Sequence, residues 1–152
     1  MKILVISDTH GQRSAAERAY IAEEPDIVVF LGDGREDMTH LCRVFPSAEV
    51  YTVKGNCDLF TDAPAYICET WGGVRVYACH GHRHDVKNGL SPLACAASSM
   101  GARLALFGHT HRQTFRVENG VALLNPGSLG YGETYAVVTA EDGAFEYEFK
   151  SL

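Results

Sequence analysis

Several features that mark common protein classes are missing from this sequence. It has no run of Lys or Arg able to form a basic stripe, and its formal net charge is −6. The footprint of a polynucleotide binder, or of a protein held on an anionic membrane, is therefore absent. No apolar run approaches the roughly 20 residues of a membrane-spanning helix. The opening stretch Ile3 to Ile6 is followed by Asp8, too early for a signal peptide as well. The five cysteines (Cys42, Cys57, Cys68, Cys79 and Cys95) are odd in number and show no C-x-x-C spacing, which argues against a disulfide framework or a zinc ribbon. Lying mostly in apolar stretches, they read as reduced structural thiols, so a cytoplasmic location is expected. Repeats, low-complexity tracts and linkers are also absent, and one domain over residues 1–152 is expected, long enough to bury a core without staples.

What is present is an ordered alternation of apolar runs and helical patterns. Ile3 to Ile6 is short, continuous and rich in β-branched residues, as a strand buried on both faces of a parallel sheet is. Arg13 to Glu23 carries alanines and charges at helical spacing and stops before Pro25. Ile27 to Leu31 reads as a second buried strand, followed by a helix from about Arg35 to Phe45 and a strand from Glu49 to Val53. The second half turns to hairpins. Tyr66 to Thr70 and Val74 to Cys79 flank Trp71-Gly72-Gly73; Thr114 to Val117 and Val121 to Asn125 flank Glu118-Asn119-Gly120; Thr134 to Ala140 and Ala144 to Lys150 flank Glu141-Asp142-Gly143. Leu90 to Met100 is a predicted helix and Leu104 to Phe107 a predicted strand. This pattern predicts an α/β protein with a mixed two-sheet core between helices.

Five apolar strands are each followed at once by residues able to bind a metal or a phosphate. Asp8-Thr9-His10 follows the first, Gly32-Asp33-Gly34 the second, Gly55-Asn56-Cys57-Asp58 the third, His80-Gly81-His82 the fifth and Gly108-His109-Thr110-His111 the sixth. Ligands of open α/β sheets gather at the carboxyl ends of strands, so these loops are expected to meet at one edge. Two Asp, one Asn and four His are more donors than one tetrahedral ion takes, and suit two ions sharing a carboxylate, with Asp33 the candidate bridge. Such a pair can activate a hydroxide against a phosphate ester and neutralise the leaving oxygen, with no side-chain nucleophile.

In this order, Asp-x-His, Gly-Asp, Gly-Asn-Cys-Asp, His-Gly-His and Gly-His-Thr-His resemble the calcineurin-like metallophosphoesterases, the small YfcE-like branch above all, from Asp8 to Ser128. The resemblance implies a four-layer sandwich of two mixed β-sheets flanked by helices. It implies one metal on Asp8, His10, Asp33 and His111 and a second on Asp33, Asn56, His80 and His109. Manganese is the usual activator, with nickel, cobalt, iron or zinc as alternatives for such a nitrogen and oxygen set. Many relatives have His after the metal-binding Asn, where this chain, like the YfcE-like branch, has Cys57. Without that imidazole, departure of the alcohol is expected to lean on the metals, with His82 or a water as proton donor, which favours phosphodiesters or good leaving groups. Asp33, Asn56, His80 and His82 are the candidate catalytic residues.

Plainer readings stand beside these. Asp8 could cap the helix starting near Gln12, and Asn56 could be a turn residue after Gly55. His84 is expected to be solvated and His40 to lie on the surface. Cys57 reads as a lining thiol, and Asp58 as an orienting or turn residue. Asn125-Pro126-Gly127-Ser128 either closes on the site or is a rigid turn after a strand. Arg35, Phe60, Arg83, Arg112 and Tyr131 lie near the motif loops, where they could shape substrate choice. The expected substrate is a small phosphodiester or phosphate ester, with no membrane partner; resemblance alone suggests a homo-oligomer. Two rivals remain. One is an interaction scaffold of the same fold, as in the small subunit of retromer; the other is a metal-dependent nuclease, which the acidic balance disfavours.

Overall fold

The computed structural model describes all 152 residues. β1 (Lys2–Ile6), α1 (Arg13–Glu23), β2 (Ile27–Phe30), α2 (Arg35–Val44) and β3 (Val50–Thr52) form the alternating first third. After them come β4 (Tyr66–Trp71), β5 (Val74–Cys79), α3 (Ser91–Ser99), β6 (Leu104–Leu106), β7 (Gln113–Glu118) and β8 (Val121–Pro126). A short α4 (Leu129–Gly132) precedes β9 (Thr134–Glu141) and β10 (Ala144–Ser151). The strands form two five-stranded sheets, ordered β10-β9-β1-β2-β3 and β4-β5-β6-β8-β7. β1 runs parallel to β2 with Ile3 opposite Ile27, and antiparallel to β9 with Ile3 opposite Val138, so the first sheet is mixed. In the second, β5, β6 and β8 are parallel and the flanking β4 and β7 antiparallel.

The two-residue period of a strand explains the layering. Ile3 and Val5 of β1 face the second sheet, packing with Ile27 and Val29 against Val76, Ala78, Leu104 and Leu106. Leu4 and Ile6 point the other way, onto Ala15, Ala16 and Ala19 of α1 and Met38 and Leu41 of α2. The second sheet is covered on its outer face by Leu93, Ala94 and Ala97 of α3. The result is the expected four layers, helices outside and two mixed sheets within. Because both faces of β1 and β2 are covered, their sequences are continuous apolar runs rather than alternating ones. No helix is long and apolar enough to cross a membrane.

Strands and helices fall within a few residues of their expected bounds, with instructive differences at the turns. Each hairpin was expected to turn over three residues; Trp71, Glu118 and Glu141 are instead the last residues of their strands. The connections are two-residue turns, Gly72-Gly73, Asn119-Gly120 and Asp142-Gly143, with positive φ at every position. That geometry matches the right-handed twist of the flanking strands and admits Asn, Asp or Gly at low cost. Two short elements were not anticipated: α4, and a single 3-10 turn at His82–His84.

Candidate metal centre

The carboxyl ends of β1, β2, β3, β5 and β6 meet at one rim, and each hands over to one of the candidate loops. The chain turns there abruptly. Asp8, His10, Asp33, His109 and His111 all have positive φ, between 44° and 68°. The left-handed region costs a residue other than glycine on the order of 1 kcal/mol and persists only where the surroundings impose it. Here backbone bonds impose it, from Asp8 N–H to Gly32 O at 3.0 Å and from His10 N–H to Asp33 O at 3.1 Å. Two glycines make the approach close enough: a Cβ on Gly55 would collide with Asp33 Oδ1, and one on Gly108 with Ser7 Oγ.

All seven expected ligands come together. Asp8 Oδ1 lies 3.1 Å from His111 Nε2, 3.7 Å from His10 Nε2 and 3.9 Å from His80 Nε2. Asp33 Oδ2 lies 3.4 Å from His80 Nε2 and 4.0 Å from His10 Nε2. Asn56 Oδ1 is 2.9 Å from His80 Nε2, and the His109 ring lies 5.0 Å from that of His80. The orientation of His80 is fixed by chemistry. Its Nδ1 faces the Leu31 carbonyl at 2.7 Å, which can only accept, so Nδ1 carries the proton and Nε2 turns to three oxygens. With Nδ1 already protonated, an Nε2 facing three oxygens calls for positive charge at that point, a proton on Nε2 or a metal ion in its place.

His10 makes the same point more sharply. Its Nε2 is buried without a hydrogen-bond partner, and both carboxylate oxygens beside it are too far for a hydrogen bond. Atoms that each sit about 2.1 Å from a common ion stand about 3 to 4 Å apart, so these spacings suit co-ligands of a divalent cation. The donor set therefore fits the metals that the sequence pattern calls for. Asp8, His10 and His111 form one such group, and Asp8, Asp33 and His80 another. A third group, His10, Asp33 and Cys57, brings the Cys57 thiol to the same rim.

The titration of these groups follows their packing. Burial alone would raise the Asp33 carboxyl, but His80, by hydrogen bond and charge, and the Cys57 N–H at 2.8 Å hold it far below the usual carboxylate range. At His80 burial works against the charged form, and Asp33 and Asp8 outweigh it and raise the imidazole. His109 is lowered by burial, then by the charges of His80 and Lys87. His82 is lowered by burial, then by His80 and Arg83, so its ring is neutral at neutral pH. His82 lies 5.4 Å from the ring of His80, with a buried Nδ1 that bonds to nothing. Burial raises the Cys57 thiol first, then Asp33, which makes it a poor nucleophile.

A ring of supporting groups holds the ligands in place. Asp58 accepts four backbone N–H bonds, from Asp33 (2.8 Å), Gly55 (2.9 Å), Gly34 (3.0 Å) and Arg35 (3.1 Å), tying the second and third loops together. Asp37 accepts from Thr9 Oγ1 at 2.6 Å and Gly11 N–H at 2.8 Å, fixing the first loop. Asn125 donates to Gly108 O and Thr110 Oγ1, and Ser128 Oγ donates to Asp8 O at 2.9 Å. The Asn125–Ser128 segment thus closes beneath the site. Asp8 does not cap α1: its carboxylate accepts from Ser7 Oγ and from His109 N–H at 3.1 Å. Asp37 was missed at the sequence level, where an Asp in a helix's first turn reads as a dipole partner. His84, expected to be solvated, is half-buried with Nε2 3.1 Å from Tyr77 OH. His40 lies on α2 as expected, half-buried and paired with Glu17 at 2.6 Å, away from the rim.

Comparison with known proteins gives a consistent picture. Residues 1–143 match the calcineurin-like phosphoesterase superfamily domain. The chain is 33% identical to the probable metallophosphoesterase YsnB of Bacillus subtilis, over 98% of this chain and 90% of that protein. Its fold resembles that of a predicted phosphoesterase from Streptococcus pneumoniae, with a TM-score of 0.84 and 26% identity over 99% of this chain and 88% of that one. It also resembles the zinc complex of Vps29 from Entamoeba histolytica, with a TM-score of 0.79 and 20% identity over 99% of both chains, a likeness of fold alone.

Proposed function

The chain belongs to the calcineurin-like phosphoesterase superfamily, and from that premise we propose that it is a dinuclear metal-dependent phosphodiesterase of the cytoplasm, acting on small esters. Metal-dependent hydrolysis of phosphate esters is the family's reaction class; the ion pair, the preference for diesters and manganese are our reading. Asp8, His10, Asp33 and His111 would hold one ion and Asp33, Asn56, His80 and His109 the other. When bound, such a pair supplies a nucleophilic water at neutral pH and positive charge for the phosphoryl and leaving oxygens. The observation that carries this reading is the buried, partnerless Nε2 of His10 beside two carboxylates.

The residues divide the remaining work. Asp33 keeps Oδ1 on the Cys57 N–H, which leaves Oδ2 turned to His80 and His10. The Leu31 carbonyl holds His80 in one tautomer, and Asn56 projects its oxygen toward the same point. His82, neutral and without a bond at Nδ1, stands at the substrate side as a hydrogen-bond partner of the leaving alcohol rather than as a charged acid. Five free cysteines accord with a reducing compartment.

The test is hydrolysis of bis(p-nitrophenyl) phosphate by chelator-treated protein with and without added manganese. Activity should vanish on chelation and return with manganese; turnover that persists without metal contradicts the proposal. The shared fold of Vps29 allows a second reading, an interaction scaffold, which predicts metal binding without turnover in the same assay.

A further inference from the structure

A groove of about 630 Å³ opens beside the loop that carries His109 and His111. Thr110, between the two histidines, forms its inner end, and Glu118, held by Ser91 Oγ at 3.1 Å, marks the outer one. Its floor is apolar, made by the buried side chains of Val86, Leu90 and Phe107. Its walls carry Lys87, Arg112 and Arg116. Thr114, Arg116 and Glu118 alternate along β7, so its two-residue period puts them on one face, and Arg112, just before the strand, lines the same groove. Because β7 is the last strand of its sheet, that side stays open.

The charge here is the reverse of the molecule's. With 19 acidic residues against 13 basic ones, the chain has gathered three cations around one groove with a single carboxylate, itself engaged, at the far end. Elsewhere Lys2, Arg13, Arg18 and Lys150 are each paired with a carboxylate and Arg75 and Arg103 with backbone carbonyls, while Arg35, Arg43, Lys54 and Arg83 are unpaired. The side chains of Lys87, Arg112 and Arg116 have no protein partner. Ser91 also begins α3, and Glu118, hydrogen-bonded to its hydroxyl, answers the positive end of that helix dipole, which leaves the three cations without an anion of their own. Guanidinium groups bind phosphate through paired N–H donors, and an anion is the partner these three side chains lack. Arg112, just before β7, and Arg116 are four residues apart, about 13 Å in extended chain, room for a nucleoside-sized arm.

Resting on the phosphodiesterase reading, we propose that this groove receives one arm of the substrate, and that the substrate is a phosphodiester whose arm carries a second phosphoryl group. A flat, apolar portion of the arm lies on Val86, Leu90 and Phe107. The second phosphate meets Arg116, short of Glu118, with Lys87 and Arg112 between it and the metal rim. Small diaryl diesters then measure the chemistry, while the charged arm sets the preference.

Two p-nitrophenyl esters of thymidine 5′-phosphate, one with a 3′-phosphate and one without, share a leaving group and differ only in the second phosphoryl group. The manganese-loaded protein should favour the bisphosphorylated ester by about tenfold or more in kcat/KM. Arg116→Ala should cut that ratio at least about fivefold, and Arg116→Lys should keep much of it. A ratio near one in the parent protein, or an unchanged ratio in Arg116→Ala, overturns the proposal. If no ester is hydrolysed, the phosphodiesterase reading fails but the groove is still testable by calorimetry of thymidine 3′,5′-bisphosphate with chelator-treated protein. Binding that weakens with salt and drops at least about fivefold in Arg116→Ala supports the groove; equal or absent binding overturns it.

Discussion

Replacing Asp58 with alanine removes the side chain that makes the most hydrogen bonds between the second and third loops of the metal centre. Its carboxylate accepts from four backbone N–H groups, and those of Asp33 and Gly55 are buried. Those of Gly34 and Arg35 are part-buried and can turn to water when the acceptor goes. A hydrogen bond to a charged group is worth about 1.5 to 3 kcal/mol, and the two buried donors would be left without a partner. The expected loss is therefore about 4 kcal/mol for Asp58→Ala, and about 2 kcal/mol for Asp58→Asn, which keeps one acceptor oxygen. In a domain of this size 4 kcal/mol lowers Tm by about 10 °C. Urea unfolding of chelator-treated protein measures the loss free of metal linkage. The pH dependence gives an independent check. Burial would raise the Asp58 carboxyl, but the N–H donors hold it below its ordinary value. A depressed folded pKa means the stabilisation is complete above the unfolded value of about 4 and is lost as pH falls through the folded value. The gap between parent and variant should thus be full at neutral pH and shrink in acid below about pH 4. A gap under about 1 kcal/mol, or one that stays constant into strong acid, would refute the reasoning.

Asp33→Ala and His109→Ala should each lower kcat/KM at least about a hundredfold with circular dichroism unchanged, while His40→Ala, away from the rim, should stay within about twofold. Comparable losses in all three would contradict the site assignment. Across aryl phosphodiesters the rate should climb steeply as the leaving phenol becomes more acidic, because neither Cys57, with its raised thiol pKa, nor the neutral His82 ring carries a proton ready to give. Cys57→His should flatten that slope, and a flat slope in the parent protein would exclude this account of leaving-group departure.

The sequence displayed the site better than it displayed what supports it. Asp8, His10, Asp33, Asn56, His80, His109 and His111 were legible because each follows an apolar strand, and parallel strands deliver their ends to one rim. Burial of β1 and β2 on both faces was legible in their continuous apolar runs, but which residues meet the helices and which the other sheet was not. Hidden were contacts between distant residues. Asp37 reaches Thr9 across 28 positions with no local pattern to mark it, and Ser128, in a segment read as either closing on the site or turning rigidly, reaches Asp8 across 120. Asp58 stood inside a recognised motif, yet its four backbone bonds exist only once the second and third loops have met. The left-handed backbone at five of the ligands escaped notice because Asp and His adopt it more readily than most residues and signal it less than glycine does. The 3-10 turn at His82–His84 is too short to leave a periodic pattern in the sequence.

Crystals soaked in manganese and measured at the manganese absorption edge bear most directly on the claim that these loops hold a pair of ions. Two anomalous peaks should stand about 4 Å or less apart, both in contact with Asp33, one beside His10 and His111 and the other beside Asn56 and His109. A single peak, or none at this rim, would contradict the account.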